Sequence, residues 1–153
     1  MPSINLPLLS IPLYYALSLY PHGHAMYIAS KGQPTNLDNR NPKSSTLLES
    51  FKKRLGPKDF AAFERAESCH RNHLENMPLF VAAVFAGLLA ERETGRSVGT
   101  ETFAMALLVV RVLYTVNYLT TETQKWSYVR SLLYFVATGL CFVTIGRAAV
   151  AMA

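Results

Sequence analysis

The chain has 153 residues, enough for one domain. Half of them are hydrophobic and only 16% are charged, against ~25% in soluble domains, which argues against a soluble globular domain. The formal net charge is +5, but most of the excess sits in one loop, where anionic headgroups explain it better than nucleic acid does.

Four apolar stretches follow one another: Ile4–Tyr20, Leu74–Ala90, Phe103–Thr121 and Leu132–Gly146. Crossing a ~30 Å hydrocarbon core takes ~20 helical residues, and each stretch reaches that length once its polar ends are included. A soluble four-helix bundle would need a polar stripe on every helix, and neither Val81–Ala90 nor Leu132–Ile145 carries one. The expected architecture is therefore an all-α membrane protein, a single four-helix transmembrane bundle over 1–153. Its spans fall at roughly 4–29, 71–92, 101–121 and 127–150.

The first stretch has no Lys or Arg before Lys31, so it reads as a retained span and not as a cleavable signal peptide. The loop 30–62 collects Lys31, Arg40, Lys43, Lys52, Lys53, Arg54 and Lys58. By the positive-inside rule this loop is cytoplasmic, and both termini face the lumen or exterior. A short amphipathic piece near Leu47–Leu55 is expected at the surface. The second long helix is expected to begin outside the hydrocarbon, with Asp59 in its first turn, and to be kinked by Pro78 after entry. Gly95 and Gly99 mark the turn before the third span, and Trp126 suits the interface at the start of the fourth.

Cys69 and Cys141 fall at different depths, and Cys69 faces a reducing compartment, so a disulfide between them is not expected. His70 and His73 are three apart near Glu67 and Cys69. That is too little for a metal site, which needs three or four ligands in fixed geometry, so no metal is assigned. Four short helices also leave little room for alternating access by a transporter.

Arg111 is the most informative residue. It lies inside the apolar stretch Phe103–Leu119, where a guanidinium costs ~2.5–3.5 kcal/mol on insertion scales and persists only beside a partner or a wet cavity. Helical spacing places Tyr114 and Tyr118 on its face. On the second span, Arg71, Asn72 and Glu75 share a face. On the fourth, Arg130 and Tyr134 are four apart, with Ser131 adjacent. Singly, these sets have ordinary explanations: an i,i+4 surface pair, a snorkelling arginine, belt aromatics. Together they offer three arginines, one carboxylate, one amide and three phenols, a set suited to a small zwitterion with more than one carboxylate.

Glu64-Arg-Ala-Glu-Ser-Cys-His70-Arg71-Asn72-His-Leu-Glu75-Asn-Met-Pro78-Leu-Phe resembles the signature of the MAPEG proteins, the membrane-associated proteins in eicosanoid and glutathione metabolism. Arg111-Val-Leu-Tyr114-Thr-Val-Asn-Tyr118 resembles the third-helix motif of that family, and Arg130-Ser131-Leu-Leu-Tyr134 its fourth. Asp38-Asn-Arg-Asn-Pro42 is similar to a loop sequence of fungal and bacterial members. The resemblance covers nearly the whole chain. It implies a homotrimer in the endoplasmic reticulum membrane, with glutathione held between subunits by Arg71, Asn72, Glu75, Arg111, Tyr114, Tyr118 and Tyr134. It also implies that Arg130 is the catalytic arginine that stabilises the thiolate. Ser68 and Cys69 stand where many relatives read Arg-Ala, Tyr114 stands where some carry histidine, and the interval from Tyr118 to Arg130 is longer than in the eicosanoid synthases.

The expected function is glutathione transfer to lipophilic electrophiles dissolved in the bilayer, with reduction of lipid hydroperoxides as another outcome of the same activated sulfur. The alternative is a non-catalytic ligand-binding or regulatory scaffold of the same fold. A pure scaffold has little need for Arg111 and Arg130, and this chain has both.

Overall fold

The computed structural model describes residues 4–33, 35, 37, 40–42 and 44–153. Within the loop motif, Asp38 and Asn39 lie outside the described residues, as does Lys43. Among the described residues every regular element is a helix. The order is α1 (Leu6–Ser30), α2 (Ser45–Arg54), α3 (Pro57–Thr94), α4 (Thr100–Thr120) and α5 (Gln124–Ala151).

The helix ends have local causes. Asn5 caps α1 by accepting the Leu8 N–H at 2.9 Å, and Ser44 caps α2 by accepting that of Leu47 at 3.2 Å. Pro57 opens α3 in the first turn, where its missing N–H is no loss. Gly95 ends α3 at φ 66° and Gly99 precedes α4 at φ 87°, so both glycines of the expected turn take the left-handed conformation that favours glycine. Gly99 has no side chain with which to cap α4, and Ser97 Oγ reaches only the Gly99 N–H, at 3.3 Å. Glu91 caps the helix from α3, its Oε1 accepting the N–H groups of Val98, Gly99 and Thr100 at 2.9, 3.1 and 3.2 Å.

Three helices, α3, α4 and α5, are long and apolar enough to cross a membrane. The sequence suggested four. α1 has the length, 25 residues, and no charged residue, but its tyrosines, prolines, histidines and serines hold its hydropathy down. α3 has 38 residues, about 57 Å of helix, so roughly half of it must project beyond a ~30 Å core.

α1 runs along α3, α5 packs on α3 and α4, and α1 also touches α4. One apolar cluster joins Tyr14, Phe80, Val84, Phe103, Leu107 and Cys141. A second, at the loop end, joins Ala25, Ala29, Phe51, Leu55, Phe63 and Ala66. The expected amphipathic piece is thus α2, whose Phe51 packs with Ala25 and Ala29 of α1 and Phe63 and Ala66 of α3, while Leu48 stays exposed. Gly87 makes a close approach possible, because a Cβ there would collide with the Thr100 side chain. Cys69 and Cys141 are buried free thiols.

Beside its apolar clusters the bundle buries several polar groups and exposes large apolar ones. The interior holds Ser10, Ser18, His73, Asn76, Arg111, Thr115 and Thr144, while Leu13, Phe85, Leu89, Val109, Leu113, Phe135 and Phe142 are exposed. Exposed apolar surface on this scale needs a cover, and α3, α4 and α5 are long and apolar enough to lie in a membrane.

Candidate functional site

Arg111 sits about half-way along α4, where the lengthwise distance to water is greatest. Its side chain is 2% exposed, so it turns into the bundle and not towards lipid. Its guanidinium lies 5.7 Å from the ring centre of Tyr14 and 5.4 Å from that of Tyr114. One terminal nitrogen donates to Asn72 Oδ1 at 3.3 Å. Its Nε is buried and has no hydrogen-bond partner among the described residues. A guanidinium offers five donors in a fixed fork, and here a single long hydrogen bond and two aromatic faces stand in for water. Among the described residues Arg111 makes no ion pair; its hydrogen-bond partner is Asn72.

Asn72 is half-buried beside Arg111, whereas Arg71 and Glu75 are exposed on the outside of α3. The turn per residue explains the split. Arg71 and Glu75 are ~40° apart around the helix axis, while Asn72 is ~100° from Arg71. Arg71 and Glu75 form no ion pair with each other or with any other described residue. They are a cation and a carboxylate side by side on an open face, each available to a ligand or to another copy of the chain.

From Arg111 the site continues along α4. Tyr114 is buried, and its ring meets that of Tyr118 edge-on at 5.4 Å. Arg130, half-buried on α5, lies with its guanidinium 4.3 Å from the centre of the Tyr118 ring. Within one protomer the chain of contacts therefore runs Asn72, Arg111, Tyr114, Tyr118, Arg130. Tyr134 stands outside that chain, a turn further along α5, packed edge-on against Phe135 at 5.5 Å. The residues expected to converge on one cleft thus divide into a connected inner row and three positions outside it, Arg71, Glu75 and Tyr134.

Sequence reasoning missed the floor of this row. His73 is fully buried. Its Nε2 is 2.8 Å from Thr115 Oγ1, and its Nδ1 is 3.3 Å from the Tyr14 hydroxyl. Spacing along α3 carries no signal of this kind, because the contacts come from α1 and α4. His70, three residues earlier, turns elsewhere, its Nδ1 lying 2.7 Å from the Ser18 carbonyl. A further cross-helix contact joins His22 Nδ1 to Glu67 at 2.7 Å.

An open hollow of about 710 Å³ lies at the other end of the bundle, lined by Arg96, Gly99, Arg147 and Val150 among others. None of the predicted site residues lines it.

A model of the MAPEG family matches residues 8–150. No curated protein and no solved structure matches the chain.

Proposed function

This chain belongs to the MAPEG family, and on that premise we propose that it is a glutathione-dependent membrane transferase. The family covers glutathione transferases, peroxidases and members that synthesise eicosanoids. The observation that carries the reading is Arg111: a guanidinium buried at mid-span with one long hydrogen bond and an unpartnered Nε. Such a group is most economically accounted for by an anionic guest, since Arg binds carboxylates with paired, charge-assisted hydrogen bonds. Glutathione brings two carboxylates and an ammonium. Arg71 and Arg111 suit the former and Glu75 the latter, with Asn72, Tyr114, Tyr118 and Tyr134 supplying neutral hydrogen bonds. Because Arg71 and Glu75 are exposed, the site is completed by a second copy of the chain, in a homotrimer of the endoplasmic reticulum membrane with loop 30–62 on the cytoplasmic side.

Arg130 acts on the sulfur. A free thiol with pKa ~8.5 is only ~3% thiolate at pH 7. A guanidinium that lowers it by ~2 units makes it mostly thiolate, a gain of at most ~30-fold because the ionised fraction cannot exceed one. The rest of the acceleration comes from holding that sulfur against an electrophile delivered from the lipid. The nucleophilic sulfur bonds to the electrophilic carbon, and the leaving group departs with its electron pair. No metal is required.

Calorimetric titration with glutathione, followed by conjugation assays over several apolar electrophiles, tests the reading. Binding with turnover supports it. Binding without turnover over all of them favours the scaffold, and no binding contradicts the transferase.

A further inference from the structure

His73 touches every group that holds Arg111. Its ring meets Tyr14 edge-on at 5.5 Å and Tyr114 edge-on at 5.7 Å, and these are the two rings over which the guanidinium lies. Its chain neighbour Asn72 is the hydrogen-bond partner of Arg111. Its Nε2 is 2.8 Å from Thr115 Oγ1, and that hydroxyl donates to the Arg111 carbonyl at 2.8 Å.

These contacts assign the ring proton. The Thr115 hydroxyl has one hydrogen and gives it to the Arg111 carbonyl, so towards His73 it must accept. His73 Nε2 is then the donor, and Nδ1 of the neutral ring carries the lone pair. The Tyr14 hydroxyl lies 3.3 Å from that nitrogen and donates to the His73 carbonyl, also at 3.3 Å. One proton of Tyr14 thus serves two acceptors on the same residue, which ties α1 to α3. The Nε2–H, Thr115, Arg111 sequence ties α3 to α4.

We propose that His73 is the positioning residue for glutathione capture. Through Thr115 it fixes the α4 backbone at Arg111, and through Tyr14 and Tyr114 it sets the plane in which the guanidinium presents its unpartnered edge. The inference rests on the glutathione reading above. A histidine that merely fills the core would serve stability and leave ligand affinity alone. A positioning residue changes affinity at unchanged turnover of the bound complex.

The experiment compares glutathione Kd, kcat at saturating glutathione and unfolding temperature in the intact membrane protein. The variants are His73→Leu, His73→Gln, Thr115→Val, Thr115→Ser and the His73→Leu/Thr115→Val pair. His73→Leu and Thr115→Val should each weaken glutathione binding by ~5- to 10-fold, the worth of one hydrogen bond, with kcat at saturation within ~2-fold of wild type. Because both break one chain of contacts, the double variant should be no weaker than the worse single. His73→Gln, which restores an N–H at the Nε2 position, and Thr115→Ser, which keeps the hydroxyl, should bind as wild type does. Unaltered Kd in His73→Leu, or losses that add in the double variant, overturn the inference while leaving glutathione binding intact. If His73→Leu does not fold, Thr115→Val decides, and an unaltered Kd there overturns it. A wild-type protein that binds no glutathione overturns this inference together with the reading beneath it.

Discussion

The guanidinium of Arg130 lies 4.3 Å from the centre of the Tyr118 ring. The contact joins α5 to α4 and places the proposed catalytic cation at the end of a row that starts at Arg111. A cation over a ring keeps its N–H edge free, so Arg130 is held in place without its donors being used up. Such contacts contribute ~0.5–2 kcal/mol, more where water is excluded.

Arg130→Ala should bind glutathione within ~3-fold of wild type and lose at least ~10-fold in kcat at pH 7, approaching the ~30-fold set by thiolate fraction. The sign of the pH effect follows. A guanidinium lowers the thiol pKa, so wild-type turnover is nearly flat above pH ~7, while the variant regains rate as pH rises through the ordinary thiol pKa of ~8.5. The thiolate absorbance of the bound complex, followed against pH, checks this directly. Full activity of Arg130→Ala at pH 7 removes the assigned role.

Tyr118 separates ring from hydroxyl. Tyr118→Phe keeps the face on which Arg130 rests and should retain kcat within ~3-fold, losing only a neutral hydrogen bond to ligand. Tyr118→Leu removes the cation–π contact and should lower kcat by up to ~10-fold. Equal kcat in the two variants, measured at saturating glutathione, would show that the ring does not orient Arg130.

Arg111 should pull stability and binding in opposite directions. Replacing a buried, poorly paired charge by an apolar side chain is often neutral or stabilising by ~1–4 kcal/mol. Arg111→Leu should therefore unfold at the wild-type temperature or above it. The same change removes a charge-assisted contact worth ~1.5–3 kcal/mol, weakening glutathione binding by ~10- to 150-fold. A variant that unfolds early and binds normally would mark Arg111 as structural.

Glu91 should behave in the reverse way. Its carboxylate accepts three backbone N–H groups at the start of α4, so Glu91→Ala should destabilise by ~1–2 kcal/mol, as loss of a helix cap does. It lies at the opposite end of α4 from Tyr118 and Arg130, and glutathione affinity should not change. Thermal unfolding and titration of the same preparation read both effects.

The apolar runs made α3, α4 and α5 legible in the sequence, and the glycines at 95 and 99 their turn, because hydrophobic length and left-handed backbone each leave a local mark. The alignment of Arg111 with Tyr114 was legible for the same reason: helical spacing fixes it. The outward turn of Arg71 and Glu75 was not, since residues three and four apart share a face broad enough to straddle a bundle edge. The capping role of Glu91 was hidden because the acid belongs to the preceding helix. The His73 contacts were hidden because their partners, Tyr14 and Thr115, lie 59 and 42 residues away.

Calorimetry with two ligands that differ only in charge bears most directly on the account: glutathione, and its diester with both carboxylates masked. Arg111 at mid-span predicts that the wild-type protein binds glutathione and binds the diester at least ~10-fold more weakly, the minimum expected for losing one charge-assisted contact. It also predicts that Arg111→Leu narrows this gap. Equal affinity for the two ligands, or a gap that Arg111→Leu leaves untouched, would contradict it.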